Sequence, residues 1–120
     1  MRLPASTDPV PELLPLTPVA FEILLSLFGG ERHGYAIMRA VEDRSGATTR
    51  LHAGTLYRAL ARLQESGLIQ EVEGVPAAGD DERRRYYRLT PLGRRTAVAE
   101  ARRLESQVGA ARARGLLRGA

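Results

Sequence analysis

A chain of 120 residues is the size of one ordinary domain and can bury one modest core, which has to be aliphatic because aromatics make up only 5% and Trp is absent. With no Cys, disulfides, thiolate metal sites and Cys nucleophiles are excluded, and the two histidines, His33 and His52, do not stand at metal-ligand spacing, so no metal or other cofactor is expected. The net charge of +4 is divided: residues 1–82 hold 7 Arg against 12 acids, whereas residues 83–120 hold 11 Arg against 2, which favours a polyanionic partner for the last third.

Residues 1–16 carry Pro4, Pro9, Pro11 and Pro15 and read as an extended, mobile arm. No continuous apolar stretch follows a basic start, so this is not a signal peptide. No window approaches the roughly 18 apolar residues of a membrane span, and the expected location is cytoplasmic. Thr17-Pro18 then supplies an N-cap and a proline at the first helical position. The apolar run 19–28, with Phe21, Leu24, Leu25 and Phe28 at helical spacing, forms a first helix that Gly29-Gly30 stops. So apolar a helix should be buried on more than one side.

A second helix is expected over 35–44, with Ile37, Met38 and Val41 inward, and 47–51 make a short connection. The third, over 53–66, is the most legible. Leu56, Leu60 and Leu63 fall within about 60° of one another on the helical wheel, joined by Ala59, and Gly54, Thr55, Arg58, Ala61, Arg62 and Glu65 lie opposite. Gly67 ends it. There the period changes: 68–73 and 84–89 read as strands of a hairpin whose tip holds Gly74, Pro76, Gly79 and Asp80. Alternation puts Tyr87 on the face of Leu89, toward the core, and Tyr86 outward.

Thr90-Pro91 repeats the cap-and-proline device and opens a fourth helix to about residue 115. Ala97, Ala101, Leu104, Val108, Ala111 and Gly115 recur at spacings of 4, 3, 4, 3 and 4, a heptad seam of mostly small residues. A helix this long has little core of its own chain left to cover, so it is expected to pack on a second copy. The expected dimer interface comprises Phe21 and Leu24 from the first helix with Ala97, Ala101, Leu104, Val108 and Ala111 from the last.

Three helices, a strand, a wing, a strand and a helix make the order of a winged helix-turn-helix, mainly α in class (α+β), with a two-stranded wing and a long C-terminal helix for dimerisation. The expected divisions are an arm over 1–16, a DNA-binding domain over 17–90 and a dimerisation helix with its tail over 91–120. In such a fold the third helix enters the major groove of double-stranded DNA and the wing reaches the neighbouring backbone or minor groove. Thr55, Arg58 and Arg62 then offer hydrogen bonds to base edges or phosphates, and Tyr57 sits at the flank within reach of phosphate. Arg83, Arg84 and Arg85 in the wing are expected on phosphate, although Asp80, Asp81 and Glu82 precede them. His52 either caps the third helix or touches DNA, and His33 is expected to bond backbone at a helix start. Winged helices also serve as protein-docking modules, but a face bearing Arg58 and Arg62 favours DNA. Catalysis is not expected: there is no paired acid and base, no glycine loop for phosphate and no metal set.

Several pieces in sequence order resemble the PadR family of bacterial repressors. They are residues 17–27 as the first helix, His33-Gly34-Tyr35-Ala36-Ile37, then Gly54-Thr55-Leu56-Tyr57-Arg58-Ala59-Leu60 with Leu63, Gly67 and Leu68, and finally Tyr86-Tyr87-Arg88-Leu89-Thr90-Pro91-Leu92-Gly93. The resemblance implies a homodimer on a pseudo-palindromic operator, dimerised through its first and last helices, in the short subfamily with a single C-terminal helix. It also implies possible release by a small aromatic or hydrophobic effector bound near the dimer interface. Two departures stand out. His52 and Ala53 replace the family's usual Ser-Pro, and the Trp that lines the drug-binding pocket of some members is absent, leaving Phe21 and Phe28 as the only replacements.

Overall fold

The computed structural model describes residues 8–45, 52–73 and 85–118. Its elements run α1 (Val10–Leu13), α2 (Pro18–Ser26), β1 (Arg32–His33), α3 (Gly34–Ser45), α4 (Ala53–Glu65), β2 (Ile69–Val72), β3 (Tyr86–Leu89) and α5 (Pro91–Ala113). α2 and α5 begin by the same device. Thr17 Oγ1 accepts from the Ala20 amide at 3.1 Å and Thr90 Oγ1 from the Gly93 amide at 2.9 Å, each followed by a proline whose missing N–H costs nothing there.

The core is aliphatic apart from Tyr87. α2 contributes Ile23, Leu24 and Leu27, α3 contributes Ile37 and Val41, and α4 contributes Leu56, Leu60 and Leu63; Leu68, Ile69 and Ala97 complete it. Each large side chain buried this way stabilises the fold by about 1.5–3 kcal/mol. α2 touches α3, α4 and α5, so it is enclosed on several sides, as its apolar run requires.

The sheet has the order β1-β3-β2, all antiparallel. Ile69 pairs with Leu89 and Val72 with Tyr86, the hairpin expected from the period-2 pattern, although both strands are shorter than expected. The third strand is an addition to the expected two-stranded wing: Arg32 pairs with Tyr87 and His33 with Tyr86. Two polar residues carry no legible period, and β1 is recognised only by its pairing with the edge of β3.

Over its described part the arm is not extended throughout, contrary to expectation, but holds a helical turn. Prolines are tolerated in a helix's first turn, and here Pro9 stands at the N-cap of the single-turn α1 with Pro11 just inside it. Val10 is buried, Leu13 and Leu16 pack on the core, and α1 lies against α5. The Leu16 amide donates to Glu100 Oε2 at 2.8 Å, an attachment across 84 residues of sequence.

Where α4, the sheet and α5 meet, the backbones nearly touch. A Cβ on Gly93 would stand 1.9 Å from the Leu68 carbonyl oxygen, so only glycine fits. The Thr90 hydroxyl also donates to the Gly67 carbonyl at 2.6 Å, and the Thr90 amide donates to Leu68 at 3.1 Å. The Leu-Thr-Pro-Leu-Gly run is thus the joint between the end of α4, the base of the wing and the start of α5.

Candidate nucleic-acid interface

α4 is oriented by its buried leucines, which turn the opposite side outward. Tyr57, Arg58, Ala61 and Arg62 are exposed, together with Gly54, and Thr55 is half-buried. Arg58 folds back along the helix: its Nη2 donates weakly to Thr55 Oγ1 at 3.5 Å, and its Nη1 lies over Gly54, 3.4 Å from where a Cβ would stand. Among the described residues neither Arg58 nor Arg62 has a carboxylate partner. Two unneutralised guanidiniums one turn apart make this side of α4 a cationic surface with hydrogen-bond donors directed outward.

His52 stands at the N-cap with extended backbone, and its carbonyl accepts the first helical bond from Leu56 at 3.0 Å. Its side chain makes no capping bond and is exposed. Tyr57 is 52% exposed, yet one face of its ring is fixed. A Cβ on Gly34 would lie 3.1 Å from the Tyr57 hydroxyl and 3.3 Å from Cε1, so Gly34 leaves the room that lets Tyr57 lie across the start of α3. His33 is structural, as expected: its Nδ1 accepts from the Ala36 amide at 3.1 Å, and its ring meets Tyr86 edge-on at 5.5 Å.

In the wing, Arg85 Nε lies 3.2 Å from Glu71 Oε1, so this arginine is already paired across the hairpin. Tyr87 beneath them is 2% exposed, as alternation requires, and burial pushes its phenol up from the ordinary range, with Glu71 adding to the shift. Arg83 and Arg84, with the acids before them, lie outside the described residues.

A second polar cluster escaped the sequence reading. Tyr35 and Arg39 stand one turn apart on α3, opposite the inward Ile37 and Val41. The Arg39 guanidinium lies 6.0 Å from the centre of the Tyr35 ring, and its Nη1 donates to the Tyr35 hydroxyl at 3.3 Å. The four-residue spacing of Tyr35 and Arg39 is the signal of this pair in the sequence. Among the described residues no group of His, Asp and Glu is placed to hold a metal ion, and no helix is long and apolar enough to cross a membrane.

The expected dimer set divides. Leu24 and Ala97 are taken out of it, because at 0% and 2% exposure they belong to the protomer's own core. A heptad pattern gives the side of a helix without saying which partner covers it. Phe21, Leu104 and Ala111 are half-buried, and Ala101 and Val108 are exposed.

Residues 23–99 match the model of the transcriptional regulator PadR-like family. The chain belongs to that family. A transcriptional regulator from Clostridium thermocellum of known structure is 28% identical, with 88% of this chain and 92% of that one covered and a TM-score of 0.66. Bacillus subtilis PadR in complex with operator DNA shares the fold at a TM-score of 0.60, with 23% identity over 69% of this chain and 46% of that one. In sequence, 79 residues are 42% identical to an uncharacterized 37.1 kDa protein in a transposon of Streptomyces fradiae, covering 66% of this chain. The matched region spans about a fifth of that relative's length, 21%. The PadR-like match covers the winged helix-turn-helix and the first part of α5, which agrees with the sequence resemblance.

Proposed function

We propose that the chain is a sequence-specific DNA-binding regulator that occupies a pseudo-palindromic operator as a homodimer and represses transcription there. The observation that carries this reading is the outer side of α4, where Thr55, Arg58 and Arg62 face outward with no acid to neutralise the two arginines among the described residues. In a winged helix this is the side that enters the major groove, and a guanidinium one turn into the helix reaches the O6 and N7 of a guanine. Tyr57, His52 and the Tyr35–Arg39 pair are exposed groups of types suited to phosphate. The DNA-bound Bacillus subtilis neighbour supports the same reading. So does the uncovered stretch of α5, since Leu104, Val108 and Ala111 offer a twofold partner the symmetry that a palindrome demands.

The test begins with selection of bound sites from random duplex DNA by the purified protein. A palindromic consensus is expected, and the absence of any enriched sequence would overturn the reading. On that consensus Arg58→Ala should weaken binding about 5- to 150-fold while affecting a scrambled duplex much less, both at one salt concentration. An equal loss on both duplexes would make Arg58 a phosphate contact and leave Thr55, Arg62 and His52 to read bases.

A further inference from the structure

Beside α4 lies a cleft of about 370 Å3 that the DNA contacts do not explain. One wall is the end of α1 and the first turn of α2, where Leu13, Leu16 and Val19 are only partly buried. Core residues Leu63 and Leu68 also line it. The other wall is the flank of α4 formed by Thr55, Ala59, Arg62 and Ser66, positions four, three and four apart and therefore on one side of the helix. Arg58, one turn before Arg62, borders the same space.

Small-molecule sites are concave, about 300–1,000 Å3, mostly apolar, and carry a few placed polar groups. This cleft meets each criterion. Its charged lining consists of two arginines and no acid, and neither arginine has a carboxylate partner among the described residues. Its apolar lining is Leu, Val, Ala and Pro with no aromatic ring, so a flat aromatic body finds nothing to stack on, whereas an alkyl chain finds walls along its length. The back of the cleft is fixed, because Leu16 hangs from the buried Glu100 of α5.

We propose that this cleft binds a small aliphatic carboxylic acid as its anion, with the tail between residues 13–20 and α4 and the carboxylate on Arg62 and Arg58. The regulatory consequence rests on α4 being the DNA-contacting helix: the ligand neutralises two guanidiniums that otherwise face DNA, and binding of DNA and ligand is mutually exclusive. Binding of the ligand to the free protein does not depend on that reading.

Octanoate at pH 7 is the probe and 1-octanol the neutral control of equal chain length. In calorimetry on the full chain without DNA, octanoate should bind one per chain and at least tenfold more tightly than 1-octanol. Ser66→Glu sets a carboxylate on the wall at an exposed position and should weaken octanoate at least tenfold without changing the thermal melt. Val19→Trp fills the cleft and should do the same; should it fail to fold, Ser66→Glu and the octanoate–octanol contrast still decide. No octanoate binding, or equal binding of both probes, would overturn the site. With the selected duplex, octanoate should weaken DNA binding at least tenfold in the native protein and not in Ser66→Glu. Octanoate binding that leaves DNA affinity unchanged overturns the regulatory half. Should octanoate bind to a protein that binds no duplex, the cleft stands and the reading of α4 fails.

Discussion

The two halves of α5 form one continuous helix of 23 residues, about 34 Å long, yet their surroundings have little in common. Over residues 92–100 the helix belongs to the domain: Gly93 touches the backbone of Leu68, Thr96 and Ala97 are sealed, and Glu100 is 1% exposed while holding the Leu16 amide. Over residues 101–113 no position is fully buried, although the heptad spacing continues unchanged. The family match ends at residue 99, at the same boundary. A repeating apolar pattern thus reports that a helix face will be covered, while the identity of the cover depends on where the rest of the chain runs out.

The sharpest way to break this comparison is at its glycines. Gly93→Ala must displace either α5 or the base of the wing, because its Cβ would lie 1.9 Å from a carbonyl oxygen. A loss of at least about 3 kcal/mol is expected in urea unfolding, and a near-native midpoint would show the joint to be slack. Leu104→Glu probes the other half. It should leave the far-ultraviolet circular dichroism unchanged while reducing the mass seen in light scattering from dimer to monomer, whereas Leu24→Glu should unfold the protomer. An unchanged mass for Leu104→Glu would remove the seam from the interface.

Glu100 gives a smaller effect with a definite sign. Hydrogen bonds from Arg103, then the Leu16 amide, hold its carboxyl below the usual carboxylate range against the opposing effect of burial. The folded value therefore lies below the unfolded one. Its contribution to stability is complete above the unfolded value and is lost as the pH falls through the lowered folded value. Glu100→Gln should cost about 1–3 kcal/mol at pH 7. Between pH 7 and pH 3 its urea midpoint should fall less than that of the native protein, and parallel pH profiles would count against the pairing. The smallest expected change is Gly109→Ala, where a Cβ meets nothing within 4 Å. Helix propensity alone should then raise stability by up to about 1 kcal/mol, and a loss would show that something packs there in the proposed dimer.

What was legible in the sequence followed from strict periods and cap chemistry. The Leu56–Leu60–Leu63 line, the inward Tyr87 and both Thr-Pro helix starts are where the pattern placed them. The candidate site was legible on α4 for the same reason, since fixing the buried leucines also fixes the side that faces out. α1 is hidden in the sequence because prolines signal a broken helix, although in a first turn they break nothing. β1 has two residues, too few to show alternation. Glu100 escaped notice because an acid within an arginine-rich helix reads as surface, and only the fold brings the Leu16 amide to it. The cleft joins residues 13–20 to 55–68, segments that no local pattern links.

The hydroxyl of Thr90 has a mechanical meaning beyond its hydrogen bonds. It clamps the end of α4 to the first turn of α5, through Gly67 on one side and Gly93 on the other, and so ties the helix proposed to meet DNA to the helix proposed to meet the partner. α5 is then a stiff lever rooted in the domain, and its far end, about 34 Å from Thr90, moves only with the domain as a whole. In the proposed dimer the spacing between the two reading helices is accordingly set by the angle at which two such levers cross. A substitution at Thr90 should therefore alter the tolerated half-site separation, although Thr90 lies outside the side of α4 proposed to read bases.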